Sequence, residues 1–184
     1  WKLIDDATII IGHNIRGHDI PKITTRFIYH RILPPSPFQI LDTYDTIKPL
    51  GFSSNKLKYI NQYLELKQKL ETDYKLWIDC ENGSAKGLEY METYCRGDII
   101  ALEEAFAEIR PYIKTNINFA LHNNSAVPCC HACGSPDLHE KGYYYTSVSR
   151  FISYVCNNCG AYSRQRINDL SIADKKALLS PTAR

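Results

Sequence analysis

The chain has 184 residues, seven cysteines, 44% hydrophobic residues and a formal net charge of +2. That apolar content excludes disorder throughout, and the near-neutral balance excludes a protein that holds polyanions by bulk electrostatics. No run approaches the roughly 18 apolar residues of a membrane helix, and the N-terminus lacks a basic-then-apolar signal. The expectation is a cytoplasmic protein without a membrane partner. Residues 1–115 carry fifteen Lys/Arg against sixteen Asp/Glu, so a nucleic-acid partner must be held locally, for example through bound cations.

Trp1 to Asp6 reads as a helical turn, and a chain opening at Trp1 without an initiator methionine reads as a fragment or a trimmed product. "ATIIIGHN" (7–14) is β-branched and ends in Gly-His-Asn, the pattern of a buried strand meeting a loop. "IPKITTRFIYHRI" (20–32) follows as an amphipathic helix with Pro21 in its first turn, and "LPPSP" stops it. "FQILDTYDTIK" (38–48) predicts a second strand, and "SSNKLKYINQYLEL" (53–66) a helix capped by Ser54 or Asn55. Trp77 and Cys80 read as core. Residues 87–110 predict a long helix whose buried stripe is Leu88, Met91, Cys95, Ile99, Leu102, Phe106 and Ile109, with Tyr94 and Asp98 on a second face beside it. Strand and helix alternate, so the class is α/β. Gly97 interrupts the long helix, where glycine costs about 1 kcal/mol relative to alanine; it marks either an accident or a close approach to the backbone.

Residues 116–128 lose periodicity and gather Asn, Ser and Pro, as a linker does. From 129 to 170 the texture changes to two cysteine pairs around tyrosine-rich stretches that alternate like short strands; 171–184 reads as a tail with a helical turn or two. Cys130-x2-Cys133 and Cys156-x2-Cys159, each followed by glycine, have the spacing of a closed tetrahedral Zn²⁺ site, which is structural because no position is left for water. Two disulfides are the competing reading. A module of this size has little apolar core, so zinc must supply much of its stability. Its aromatic residues, with Arg150, Arg164 and Arg166, either stack bases and meet phosphates or fill a small core around the metal.

"GHNIRGHDIP" places Asn14 and Asp19 where a strand gives way to a helix, the usual position of a ligand site in an α/β fold. Together with "YCRGD" on the long helix, these residues resemble the second and third motifs of the ribonuclease H-like DEDD-family 3′–5′ exonucleases, tyrosine subclass. "SSNKLKYINQYL" and "LEEAFAEIRPYI" are similar to bacteriophage-type members that end in a four-cysteine zinc ribbon. The resemblance implies a ribonuclease H-like domain over 1–115, the linker at 116–128, a small β-rich zinc ribbon at 129–170 and the tail at 171–184. It implies that Asp19 and Asp98 are Mg²⁺ or Mn²⁺ ligands, that Tyr94 orients the attacking water and that Asn14 contacts the terminal nucleotide or supports the loop. Substrates would be DNA or RNA 3′ ends, partners would include replication or repair proteins, and a phage-encoded member would act in the host cytoplasm. The family's first motif, Asp-x-Glu, has no counterpart here, since Asp5 and Asp6 are adjacent in a helical turn. The chain is therefore expected to be an N-terminally truncated domain, inactive or nearly so by itself. The competing reading is a catalytically degenerate nucleic-acid-binding or protein-docking module. Asp42 and His13 are expected to be structural.

Overall fold

A computed structural model describes residues 1–66, 70–180 and 182. The chain forms two units, residues 1–109 with 113–115, and residues 110–112 with 116–184.

In the first unit, α1 (Lys2–Asp5) leads into β1 (Ile9–Gly12), α2 (Asp19–Tyr29) and β2 (Gln39–Asp42). The two strands are parallel, Ile9 opposite Gln39 and Gly12 opposite Asp42. A parallel pair needs a crossover, and α2 supplies it. Pro21 lies in the first turn of α2, where its missing N–H has no helical partner to lose.

The expected strand at 38–48 stops at Asp42. The Asp42 side chain accepts a hydrogen bond from the Tyr44 amide and caps α3 (Thr43–Ile47), so local capping overrides the β-branched pattern. The helix expected at 53–66 begins later, as α4 (Leu57–Tyr63), with no side-chain cap. A helix not foreseen in the sequence, α5 (Tyr74–Glu81), is capped by Asp73. Trp77 on it is half exposed rather than core. Then α6 (Ala85–Ile109) runs 25 residues. Its inward face keeps only part of the large-apolar stripe: Ile109 is buried and Met91, Leu102 and Phe106 are half-buried, but Leu88 and Ile99 are 50% and 59% exposed, and Gly87, Ala101 and Ala105 are buried instead. Small residues let neighbouring helices approach. Asn61 of α4, fully buried, donates from Nδ2 to the Ala101 carbonyl at 3.2 Å, and a Cβ at Gly87 would lie 3.1 Å from the Cβ of Asp79 on α5. The buried hydrophobic residues of this unit include Leu41, Ile47, Ile60, Ala101 and Ala105.

The second unit is an antiparallel sheet of β3 (Leu138–Tyr145), β4 (Arg150–Cys156) and β5 (Tyr162–Arg164), in that order, with a bulge between Glu140 and Tyr143. Its buried core is Cys130, Ala132, Cys156 and Ala161. The stretch 116–128 contains a 3-10 turn, Phe119–His122, tied to the cysteine region: the Phe119 amide donates to the His131 carbonyl at 2.9 Å, and Asn123 donates to the Gly134 carbonyl. The tail carries α7 (Ile172–Ala177), begun by a reciprocal capping box of Ser171 and Asp174. Residues 181, 183 and 184 of the expected tail lie outside the described residues.

Candidate active site and metal centre

The loop after β1 is held from below by one buried carboxylate. Asp42 accepts from the Asn14 amide at 2.7 Å and the Tyr44 amide at 3.0 Å on Oδ1, and from the Arg16 amide at 3.0 Å on Oδ2. Three backbone amides thus converge on this carboxylate, which makes Asp42 the architect of the loop. His13 is structural in the same way. Thr43 Oγ1 donates to the Gly12 carbonyl at 3.1 Å, so its single proton is committed and the 2.9 Å contact to His13 Nδ1 has the imidazole as donor.

Asn14 takes φ +62°, a conformation that asparagine tolerates better than most residues. Its side chain lies against Gly17, where an added Cβ would come 2.8 Å from Asn14 Oδ1. Asp19 is the first residue of α2, exposed, where the helix macrodipole favours negative charge. Among the described residues its carboxylate has neither a hydrogen-bond partner nor an ion pair.

Tyr94 and Asp98 are in direct contact on α6, both half-buried. Their four-residue spacing stacks them on one side of the helix. This side is continuous with the inward positions Gly87, Met91, Ala101 and Ala105, so the acid faces the fold. Burial raises the Tyr94 phenol above its ordinary value of 10.0, and the charge of Asp98 and a hydrogen bond to it raise it further. A hydrogen bond with Thr72 works the other way. Tyr94 is therefore a neutral donor at physiological pH, aimed at a carboxylate. Asp19 is not among its partners. A Cβ added at Gly97 would meet no atom within 4 Å apart from those of its chain neighbours and of its own helix backbone.

In the second unit the cysteine sulfurs Cys130, Cys133, Cys156 and Cys159 all lie within 4.8 Å of one another. Cys130 Sγ is 3.7 Å from Cys159 Sγ, and Cys133 Sγ is 3.6 Å from Cys156 Sγ. Both distances exceed a disulfide bond of about 2.05 Å. They match the separation of about 3.8 Å that four sulfurs adopt around a zinc ion at about 2.3 Å. The cluster is thus compatible with a zinc site.

The two cysteine turns are copies of one another. Gly134 (φ +77°) and Gly160 (φ +75°) each donate an amide to the carbonyl of the first cysteine of the pair, at 2.8 Å in both cases. Side chains are strained in that left-handed region, hence glycine. Backbone amides of Ala132 and Cys133 point at Cys130 sulfur, that of Ser135 at Cys133 and that of Ala161 at Cys159, and Asn158 Nδ2 reaches Cys133 Sγ at 3.6 Å. Without a cation the thiols cannot ionise together. Burial opposes ionisation of Cys133, yet the donors on its sulfur bring it down to about 7. Burial and the adjacent Cys133 and Cys130 thiols push Cys159 up to about 12. Thr72 and Asn158 were not singled out in the sequence. Thr72 carried no signal there, whereas an asparagine between two ligand cysteines is a placed donor.

A family model of the RNase_H superfamily, RNase_H_2, matches residues 1–109. The chain belongs to the RNase H superfamily, and its first unit is a nuclease-like domain of that group, whose members generally use divalent metals. Neither a curated protein nor a solved structure matches it. Among the described residues no helix is long and apolar enough to cross a membrane.

Proposed function

We propose that this nuclease-like domain serves a 3′–5′ exonuclease of the DEDD tyrosine subclass that hydrolyses phosphodiesters at DNA or RNA 3′ ends, with the zinc ribbon appended as in the bacteriophage-type members. The observation that carries the reading is the Tyr94–Asp98 contact on the inward side of α6. A neutral phenol held against a carboxylate orients a water beside that acid without competing with it as a base.

Asp98 and Asp19 offer hard oxygen donors of the kind Mg²⁺ and Mn²⁺ prefer, and Asp19 keeps all its lone pairs available. When bound at such carboxylates, a pair of these ions polarises the phosphodiester and activates water. The chain's own residues supply the rest: Tyr94 fixes the donor direction, Asn14 on its pinned loop meets the terminal nucleotide, and Gly97 leaves room for the phosphate. Two carboxylates are fewer than a binuclear centre uses, so hydrolysis by the 184-residue chain is expected to be weak.

The test is Mn²⁺ binding to the 184-residue chain by titration with electron paramagnetic detection, alongside digestion of 5′-labelled and 3′-labelled strands. Asp19→Ala and Asp98→Ala should each weaken Mn²⁺ binding, while Asp45→Ala, an exposed acid paired with Lys48, should not. Any digestion should proceed from the 3′ end. Binding indifferent to both Asp19 and Asp98 would instead favour the module that keeps the fold without the chemistry.

A further inference from the structure

The two faces of the ribbon sheet are unlike in a way that the zinc site does not explain. Opposed residues of an antiparallel pair share a face. One face therefore carries Tyr143, Tyr145, Arg150 and Tyr154, and the other carries Tyr144, Phe151, Ser153, Tyr162 and Arg164. On the first face the cationic charge is cancelled. Arg150 is bound to the Asp169 carboxylate, Nη2 at 2.8 Å and Nε at 2.9 Å, and the Tyr154 hydroxyl meets Glu140.

On the second face it is not. The Arg164 guanidinium lies 4.1 Å from the Phe151 ring centre and 5.2 Å from that of Tyr144, and Lys141 Nζ stands 5.8 Å over the Tyr162 ring. Among the described residues the Arg164 side chain hydrogen-bonds only to the Gln165 carbonyl, and neither Arg164 nor Lys141 has a carboxylate partner. Tyr144 and Tyr162 are 50% and 56% exposed, so these rings do not fill the core, which belongs to the cysteines.

We propose that this second face binds single-stranded nucleic acid, with bases stacked on Tyr144 and Tyr162 and phosphates met by Arg164 and Lys141. Exposed rings interleaved with unpaired cations are what a sequence-tolerant single-strand surface requires: π faces accept any base and the cations follow the backbone. Tyr144 lies opposite Phe151 and Tyr162 opposite Val155, which places their Cα positions roughly 16 Å apart on the two strands that flank β4, by strand geometry. One mononucleotide cannot reach both, so the ligand is a strand. Duplex is disfavoured because its bases are stacked on one another. The site stands apart from the chemistry assigned to Asp98 and needs no Mg²⁺ or Mn²⁺.

The experiment is fluorescence anisotropy of a labelled 12-mer of thymidylate with the full 184-residue chain, zinc-loaded and without added Mg²⁺ or Mn²⁺, across a range of salt. Zinc content of every variant verifies that the ribbon is intact. Arg164→Gln should weaken binding at least fivefold and flatten the dependence of log K on log salt by about 0.7, the value for one phosphate contact on a single strand. Tyr144→Ala should weaken binding similarly at an unchanged salt slope, Arg164→Lys should keep the slope while losing affinity, and Tyr145→Ala on the opposite face should match the parent. Equal binding of duplex, equal loss on Tyr145→Ala, or indifference to Arg164→Gln would overturn the proposal. So would an oligoglutamate competing as well as the oligonucleotide, which would mark an acidic protein as the partner. Asp98→Ala should leave this binding intact, which separates failure here from failure of the nuclease reading.

Discussion

The cysteine cluster and the Tyr94–Asp98 pair are built on opposite plans. The cluster is closed: its sulfurs face inward, glycine turns aim amides at them, and Cys130 and Cys156, with Ala132 and Ala161, form a buried core against which Cys133 and Cys159 pack. The acid pair is open, half-buried on a helix whose interior contacts are made by other residues. Metal in the first place would be architecture, and at Asp98 it would be a reagent. The two should therefore respond in opposite ways to the same insults.

The largest difference is expected on losing a zinc ligand. Cys156 is buried with 1% of its surface exposed, and structural zinc contributes about 10–16 kcal/mol in small domains. Cys156→Ser or strong chelation should abolish amide-exchange protection across β3, β4 and β5 while leaving that of α2 and α6 unchanged. A ribbon that stayed protected would mean that its sheet stands without the metal, and the contrast would be lost.

Acid should act on the cluster next. The zinc-bound site holds thiolates, whereas the free site holds protons on Cys159, which titrates only near about 12, and on Cys130, which burial raises. The bound state therefore carries fewer protons, and its stability rises with pH and is lost as pH falls. Zinc affinity should increase throughout the range from about 7 towards 12, and the dependence should steepen below about 7, where Cys133 also binds a proton. Competitive titration with a chelating dye at several pH values checks both slopes.

These differences also explain what the sequence could disclose. The cysteine turns are local: two residues of spacing and a glycine encode the geometry, so the site is legible letter by letter. The face of α6 is not. Counting large apolar side chains selects Ile109, which is buried, but also Leu88, Cys95 and Ile99, which are exposed, because the inward face is set by how closely α4 and α5 approach. Gly87, Ala101 and Ala105 are inside because they are small, and Asn61 can be inside because its Nδ2 finds an acceptor in the Ala101 carbonyl. The β1–α2–β2 order was visible in alternating texture, while the end of β2 was decided by a single cap at Asp42. Nothing in the local pattern announces α5 or places Thr72 against Tyr94.

At the acid pair the effects should be smaller and electrostatic. Burial, the first cause of the raised Tyr94 phenol, survives Asp98→Asn, whereas the carboxylate charge does not. Tyr94 should then titrate closer to 10 in ultraviolet absorbance but still above it. A return all the way to 10 would mean that Asp98 alone sets the phenol and that the pocket is wet. Tyr94→Phe should cost about 1 kcal/mol of stability in urea unfolding, the net worth of one hydrogen bond, and should lower any metal-dependent hydrolysis far more than that cost suggests.

The smallest stability change, and the most discriminating, belongs to Gly97. A methyl there meets no atom within 4 Å beyond its chain neighbours and its own helix backbone, so Gly97→Ala should add up to about 1 kcal/mol of helix propensity and raise the unfolding midpoint. If the space beside Asp98 is merely a helix defect, the variant is a stabilised protein with unchanged metal and strand handling. If a phosphate must enter that space, the same methyl obstructs it, and stability rises while hydrolysis falls. Stability and activity moving in opposite directions after one added carbon would tie the glycine to the substrate, since no loss of fold can be blamed; parallel movement, or a gain in stability alone, would return Gly97 to the status of an accident.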